Sequence, residues 1–191
     1  MKKVIYIFLI IIIGSFSVSS QKGIKKRIAA KPMIQTKQLE REKFNPARNP
    51  IADLQTAIAK AQKENKRIVL DVGGEWCGWC VKMDYYFLEN KALAKLRNEN
   101  FIWVKVNFSP ENENKEFLAK YPEIQAYPHL FVLETDGSLL HSQNTDQLQE
   151  PTLPIMVRQG ESGRETAQKK AYERSYDIFK FAEFLKRWSS Y

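Results

Sequence analysis

Asp71-Val72-Gly73-Gly74-Glu75-Trp76-Cys77-Gly78-Trp79-Cys80 is the stretch on which the reading of this chain turns. It is entered by Arg67–Val72, a short apolar run that closes on Asp71 and then a Gly-Gly pair, which predicts a buried strand ending in a turn. It is left by a segment with no helix breaker from Gly78 to about Leu88, in which Val81, Tyr85 and Leu88 recur at helical spacing. Cys77 therefore falls where a strand gives way to a helix. Unpaired backbone N–H groups and the positive helix end favour a thiolate there. A disulfide from Cys77 to Cys80 closes so small a loop that chain entropy supplies only about 2 kcal/mol, so the bridge is a poor staple. Its use is chemical. A Cys77 thiolate attacks a substrate disulfide, and Cys80, one turn on, attacks the resulting mixed disulfide to release reduced substrate.

Working outward, Asn49-Pro50 is a helix start, with Asn able to cap and Pro where its missing N–H is not needed. Ile51, Leu54, Ile58 and Ala61 then share a face, so Pro50–Asn65 is expected as a helix. Downstream of the cysteines a second helical stretch carries Leu93 and Leu96. In the expected strand Asn100–Phe108, Ile102, Val104 and Val106 lie on one side, and Phe101, Trp103 and Lys105 on the other. Glu111–Tyr121 reads as a helix stopped by Pro122. His129–Glu134 and Ser138–Ser142 flank Asp136-Gly137, a hairpin-turn sequence. A polar stretch, Asn144 to about Arg174, precedes a closing amphipathic helix marked by Ile178, Phe181, Phe184 and Leu185. Trp103 and Trp188 are expected in the core, and Tyr85, Tyr86 and Phe87 as core plus one exposed ring. Strands alternating with helices and then a hairpin imply a mixed sheet covered on both faces, an α/β fold.

The decapeptide Asp71–Cys80 resembles the active-site segment of thioredoxins, and the resemblance runs from about Asn49 to His141 and resumes at the last helix. It implies a thioredoxin fold, here with an extra N-terminal helix and an insertion at about 144–174. It implies a protein-disulfide oxidoreductase with Cys77 as nucleophile and Cys80 as resolving thiol, needing no cofactor beyond its own redox-active cysteines. Six positions before Cys77 the family buries an acid, a place Asp71 fills, and Asp71 would take and return the proton of Cys80. A carboxyl desolvated at the end of a buried strand is a usable base near neutrality. The family also sets a cis-proline opposite the cysteines, which Tyr127-Pro128 matches, so that the backbone of Tyr127 pairs with an extended substrate. Trp76, Gly78 and Trp79 complete the expected substrate surface. Lys105 matches a family position near the buried acid, although strand alternation allows a surface lysine equally.

The chain also departs from the family. Trp79 replaces the proline usual between the cysteines of reducing thioredoxins, which leaves the direction of electron flow open. No proline kinks the active-site helix at Tyr85, and His129 follows Pro128 where Thr is usual, a position from which it would modulate the site. Two other readings remain. Cys77, Cys80 and His129 would supply three ligands for copper or zinc, with only His141 as a distant fourth. Alternatively, the domain is a redox-inactive adaptor that binds a partner through its insertion or basic arm.

The chain has 191 residues, 43% apolar and 12% aromatic, enough for one domain with a core. Two cysteines exclude a disulfide-stapled miniprotein. The net charge of +8 is uneven: residues 1–50 carry 11 Lys/Arg against 2 Asp/Glu, while residues 51–191 carry 19 against 20. A folded part without basic excess argues against nucleic-acid binding. Lys2 and Lys3, the apolar run Val4–Ile13 and the small polar Gly14–Ser20 follow the order of a secretory signal peptide. Residues 1–20 are therefore expected to direct export, periplasmic or secreted. Lys22, Lys25, Lys26 and Arg27 just beyond resist translocation and keep an uncleaved membrane anchor open. Residues 21–48 read as a basic linker, with 49–191 as the domain. An exported reductant of this kind implies disulfide-containing protein substrates and a membrane thiol-electron donor as partners.

Overall fold

The computed structural model describes residues 40–151 and 175–189, all within the compact unit Gln38–Tyr191. The expected signal segment 1–20 and most of the expected insertion lie outside the described residues. Among the described residues no helix is long and apolar enough to cross a membrane.

Asn49 caps α1, Pro50–Glu64, its side-chain oxygen accepting from the N–H groups of Ile51 and Ala52 at 3.0 and 3.3 Å. β1, Arg67–Gly73, follows and is buried from Ile68 onward. α2, Gly78–Glu89, and α3, Lys91–Asn100, carry the chain across to β2, Phe101–Asn107. A short α4, Lys115–Leu118, precedes β3, His129–Leu133, and β4, Leu139–Asn144. After a 3₁₀ turn, Thr145–Leu148, the chain closes with α5, Ile178–Arg187. The sheet order is β2-β1-β3-β4, with β1 parallel to β2 and the other pairs antiparallel. This is the mixed α/β sheet expected from the sequence.

Period-two alternation sends each strand's side chains to two separate cores. Ile68, Leu70, Val72, Ile102, Val104, Val106, Phe131 and Leu133 pack under α1 and Phe117 of α4. Val69, Phe101, Leu130 and Val132 pack under Met83 and Phe87 of α2, Leu93 of α3, and Phe181, Phe184 and Leu185 of α5. Asp71, two residues from Val69, faces the α2 side, and register sets it beside Lys105 of β2. Gly137, at φ +89°, supplies the left-handed turn of the β3–β4 hairpin. A Cβ there would also lie 2.7 Å from Ile58 Cδ1 of α1.

Two segments differ in extent from what the sequence predicts. The helix expected over Glu111–Tyr121 shrinks to Lys115–Leu118 because asparagine side chains capture the preceding backbone. Ser109 and Asn112 exchange backbone hydrogen bonds, Asn107 Nδ2 donates to the Asn112 carbonyl at 2.8 Å, and Asn114 takes a left-handed φ of 50°. The linker expected to reach residue 48 ends sooner. Phe44 is 3% exposed, and Arg48 joins Glu42 to Asp53 of α1 through ion pairs of 2.8 Å each, so residues 40–48 are packed as a strap on the domain.

Tyr85, Tyr86 and Phe87 divide as expected, with Phe87 buried, Tyr86 against the core and Tyr85 exposed. Trp103 and Trp188 are only partly buried at the edge of the α2-side core. Ile178, expected on the apolar face of the last helix, is exposed.

Candidate active site

The chain turns sharply out of β1: the Cys77 N–H donates to the Gly74 carbonyl at 3.0 Å, and Cys77 becomes the N-cap of α2. Its Sγ accepts from the Cys80 N–H at 3.1 Å, so the helix N-terminus is aimed at that sulfur. The two cysteines are joined as a disulfide, with Cα atoms 5.2 Å apart. Cys80 is fully buried, while Cys77 at 6% lies beside exposed neighbours. Gly78 is exposed, with nothing within 4 Å of the position a Cβ would take.

Both glycines before the motif are required by close packing. A Cβ on Gly73 would sit 2.5 Å from Cys80 Sγ and 3.2 Å from Phe44 Cζ. A Cβ on Gly74 would lie 2.7 Å from the Phe108 carbonyl, which accepts from Trp76 Nε1 at 2.6 Å. Trp76, 56% exposed, meets Tyr127 edge-on at 5.5 Å, and Tyr127 stacks on Phe108 at 4.9 Å. The Tyr127–Pro128 bond is cis, and buried Thr145 donates its hydroxyl to the Pro128 carbonyl at 2.6 Å. Trp76, Gly78 and Tyr127 thus form a neutral aromatic surface beside Cys77. Trp79 turns instead toward the body of the domain. It meets Tyr176 edge-on at 5.4 Å, its carbonyl accepts from the Tyr176 hydroxyl at 3.3 Å, and Lys82 Nζ lies 4.6 Å from its ring.

Beneath the pair lies an ionic chain. Asp71 is fully buried, and its Oδ2 accepts from Lys105 Nζ and Trp103 Nε1 at 3.1 Å each, whereas its buried Oδ1 has no partner among the described residues. Lys105 is buried and not at the surface, and it also donates to Asp84 of α2 at 2.6 Å. Asp84 accepts in turn from Arg41 of the strap at 2.9 Å, and Arg41 ion-pairs with Glu75 in the turn before Cys77. Burial raises the pKa of Asp84, opposed by Lys105 and reinforced by Asp71. For Lys105, burial pulls down, but the charges of Asp71 and Asp84 outweigh it and hold the ammonium protonated. Glu75 is held low by its hydrogen bond from Arg41.

His129 does not join the cysteines. Its Nε2 pairs with Ser142 Oγ at 2.8 Å, its ring lies 4.7 Å from Phe131 on the α1 side, and burial followed by His141 pushes its pKa down to about 4. Among the described residues no group of three or more His, Cys, Asp or Glu side chains is placed to hold a metal ion, so the Cys77, Cys80 and His129 ligand set does not assemble.

Sequence reasoning missed Asp84, Arg41 and Phe44. Asp84 sits one helical turn beyond Cys80, a spacing visible in the sequence. Nothing local marks Arg41 or Phe44, whose partners are distant along the chain. Tyr176 was also missed; it bridges to Gln149, bringing the two ends of the insertion together beside Trp79.

Residues 49–135, a little under half of the chain, match the family model described as Thioredoxin-like. Over 53 residues it is 47% identical to spermatogenesis-associated protein 20 of Mus musculus, covering 28% of this chain and 7% of that protein. Over 93 residues it is 26% identical to the disulfide bond reductase DsbH of Chlamydia pneumoniae, covering 44% of this chain and 55% of that one. A solved structure of a disulphide isomerase from Xylella fastidiosa Temecula1 aligns with a TM-score of 0.54 at 20% identity, covering 75% of this chain and 94% of that chain. The match thus spans only 7% of the first of these curated relatives and about half of the second. The structural likeness establishes the thioredoxin fold.

Proposed function

We propose that this protein is an exported thiol-disulfide oxidoreductase that reduces or isomerises disulfides in envelope proteins through Cys77 and Cys80. The observation that carries the reading is the placement of the pair. Cys77 caps the positive end of α2 beside an open glycine, Cys80 is buried over Gly73, and Asp71, on the same face of β1 as Gly73, offers a carboxylate oxygen with no partner among the described residues. In the forward direction the Cys77 thiolate attacks one sulfur of a substrate disulfide, and the other sulfur leaves as thiolate. Cys80 gives its proton to Asp71 and attacks Cys77 Sγ, expelling the second substrate thiolate and forming the Cys77–Cys80 disulfide. Two electrons pass from the protein to the substrate, and a membrane thiol donor would return them. Trp76, Gly78, Tyr127 and Pro128 form the docking surface, with Trp79 held from behind by Tyr176. Export is supported by the charge and apolar order of residues 1–20.

The test is a Cys80→Ser variant of the full chain. Expressed in cells, it is expected to accumulate mixed disulfides through Cys77 that dissolve on reduction, with envelope proteins as the captured partners. Absence of any reducible adduct would exclude the mechanism.

A further inference from the structure

The strap ahead of α1, which composition alone marks as linker, reaches the reactive pair. Arg41 bridges two elements on either side of Cys77: its guanidinium pairs with Glu75, in the turn just before the cysteine, and with Asp84, on the helix that the cysteine caps. The Phe44 N–H donates to Glu75 Oε1 at 2.9 Å, so the strap holds that carboxylate twice. The Phe44 ring packs with Cys77 and Cys80 and lies 3.9 Å from Lys105 Nζ, covering the ammonium that joins Asp71 to Asp84. The Arg41 side chain is itself only 10% exposed, so its charge acts in a poorly screened setting.

We propose that Arg41 is a positioning residue for the Cys77–Cys80 couple: by gripping Glu75 and Asp84 it locks the turn against α2 and offsets their negative charge, thereby setting the acidity of Cys77 and the reduction potential of the pair. The inference rests on the oxidoreductase reading. Among the described residues, the charged groups on the elements packed about the pair are Asp71 on β1, Lys105 on β2, Asp84 and Lys82 on α2, Arg97 on α3, Glu75 in the turn and Arg41 in the strap. Without Arg41, two carboxylates face the site with Lys105 as their nearest remaining cation. The thiolate of reduced Cys77 is then less favoured, and the disulfide form gains. Without the Glu75 charge the same field turns more positive, and the effect reverses.

The experiment compares full-chain Arg41→Gln, Arg41→Lys and Glu75→Gln with the parent protein. The readouts are equilibration with glutathione and the pH midpoint of iodoacetamide alkylation of reduced Cys77. Arg41→Gln is expected to shift the equilibrium about tenfold toward the disulfide, equivalent to about 30 mV, and to move the alkylation midpoint upward. Arg41→Lys should stay within about threefold of the parent, because the charge is kept. Glu75→Gln should shift both readouts the opposite way by a few-fold. Loss of structure alone would move both glutamine variants in one direction, and that result overturns the proposal, as does a change below twofold in both. If Arg41→Gln does not fold, Glu75→Gln decides alone: an unmoved or upward midpoint is the contradicting outcome. If the parent pair fails to equilibrate with glutathione, the oxidoreductase reading falls; if it equilibrates while the variants stay put, only the role of Arg41 falls.

Discussion

On its outer side the Cys77–Cys80 pair meets neutral surface: the exposed indole of Trp76, the Tyr127 ring stacked on Phe108, and the exposed Gly78. On its inner side it meets ions, with Asp71, Lys105, Asp84, Arg41 and Glu75 linked in one line. The contrast separates two tasks. A neutral aromatic face accepts many polypeptides through ring contact and backbone pairing, without selecting a charge pattern. An ionic line whose Asp71, Lys105, Asp84 and Arg41 members are largely shielded from solvent adjusts proton affinity where thiolates form and vanish. Substitutions on the inner side should therefore change rate constants and potentials, and those on the outer side apparent affinity.

The largest inner effect is expected from Asp71→Asn. Asparagine still accepts from Lys105 and Trp103 but cannot take a proton, so resolution of a Cys77 mixed disulfide should slow about a hundredfold near pH 7. Rapid-mixing measurement of substrate-thiol release checks this, and an unchanged rate would move the relay elsewhere. Gly73→Ala probes the seam between the two sides, since its methyl would press on Cys80 Sγ and Phe44. It should cost about 1–3 kcal/mol in urea unfolding of the oxidised protein, because neither neighbour lies at the end of a flexible chain.

His129 provides a contrast on the opposite face of the sheet, a buried ionisable ring with no ionic partner among the described residues. Its native pKa lies near 4 against an ordinary 6.5. Between those values the unfolded chain binds a proton that the native ring does not, so stability falls as pH drops through 6.5 and this contribution levels off near 4. The loss is on the order of 1–3 kcal/mol, and His129→Gln should flatten that part of the pH–stability curve. The smallest effect belongs to the outer side. Trp76→Ala should raise the KM for a protein substrate a few-fold with little change in kcat, and a kcat loss larger than the KM change would contradict the division of tasks.

Much of this arrangement is legible in the sequence. Strand alternation placed Ile102, Val104 and Val106 opposite Trp103 and Lys105, and the Gly-Gly pair before Trp76 announced the turn that makes Cys77 a cap. Whether Lys105 was buried stayed open, because alternation gives a face but not what covers it. The Phe44 ring and the Asp84 carboxylate cover it, one from a segment that composition marks as a linker. Arg41 and Phe44 were invisible for the same reason: their partners lie more than thirty residues away, and no local period records a tertiary ion pair. The shortened α4 was lost to asparagine side chains, whose competition for backbone groups depends on a loop geometry that helical periodicity does not encode.

The most direct measurement of the central claim is a redox titration of the purified protein in graded glutathione or dithiothreitol buffers, with the thiols counted by alkylation and mass spectrometry. The account predicts one reversible two-electron transition in which Cys77 and Cys80 gain and lose the alkylating label together. A midpoint toward about −270 mV would define a reductant, and one toward about −120 mV an oxidant. A pair that stays disulfide-bonded across the whole range, or two thiols that never join, would contradict it.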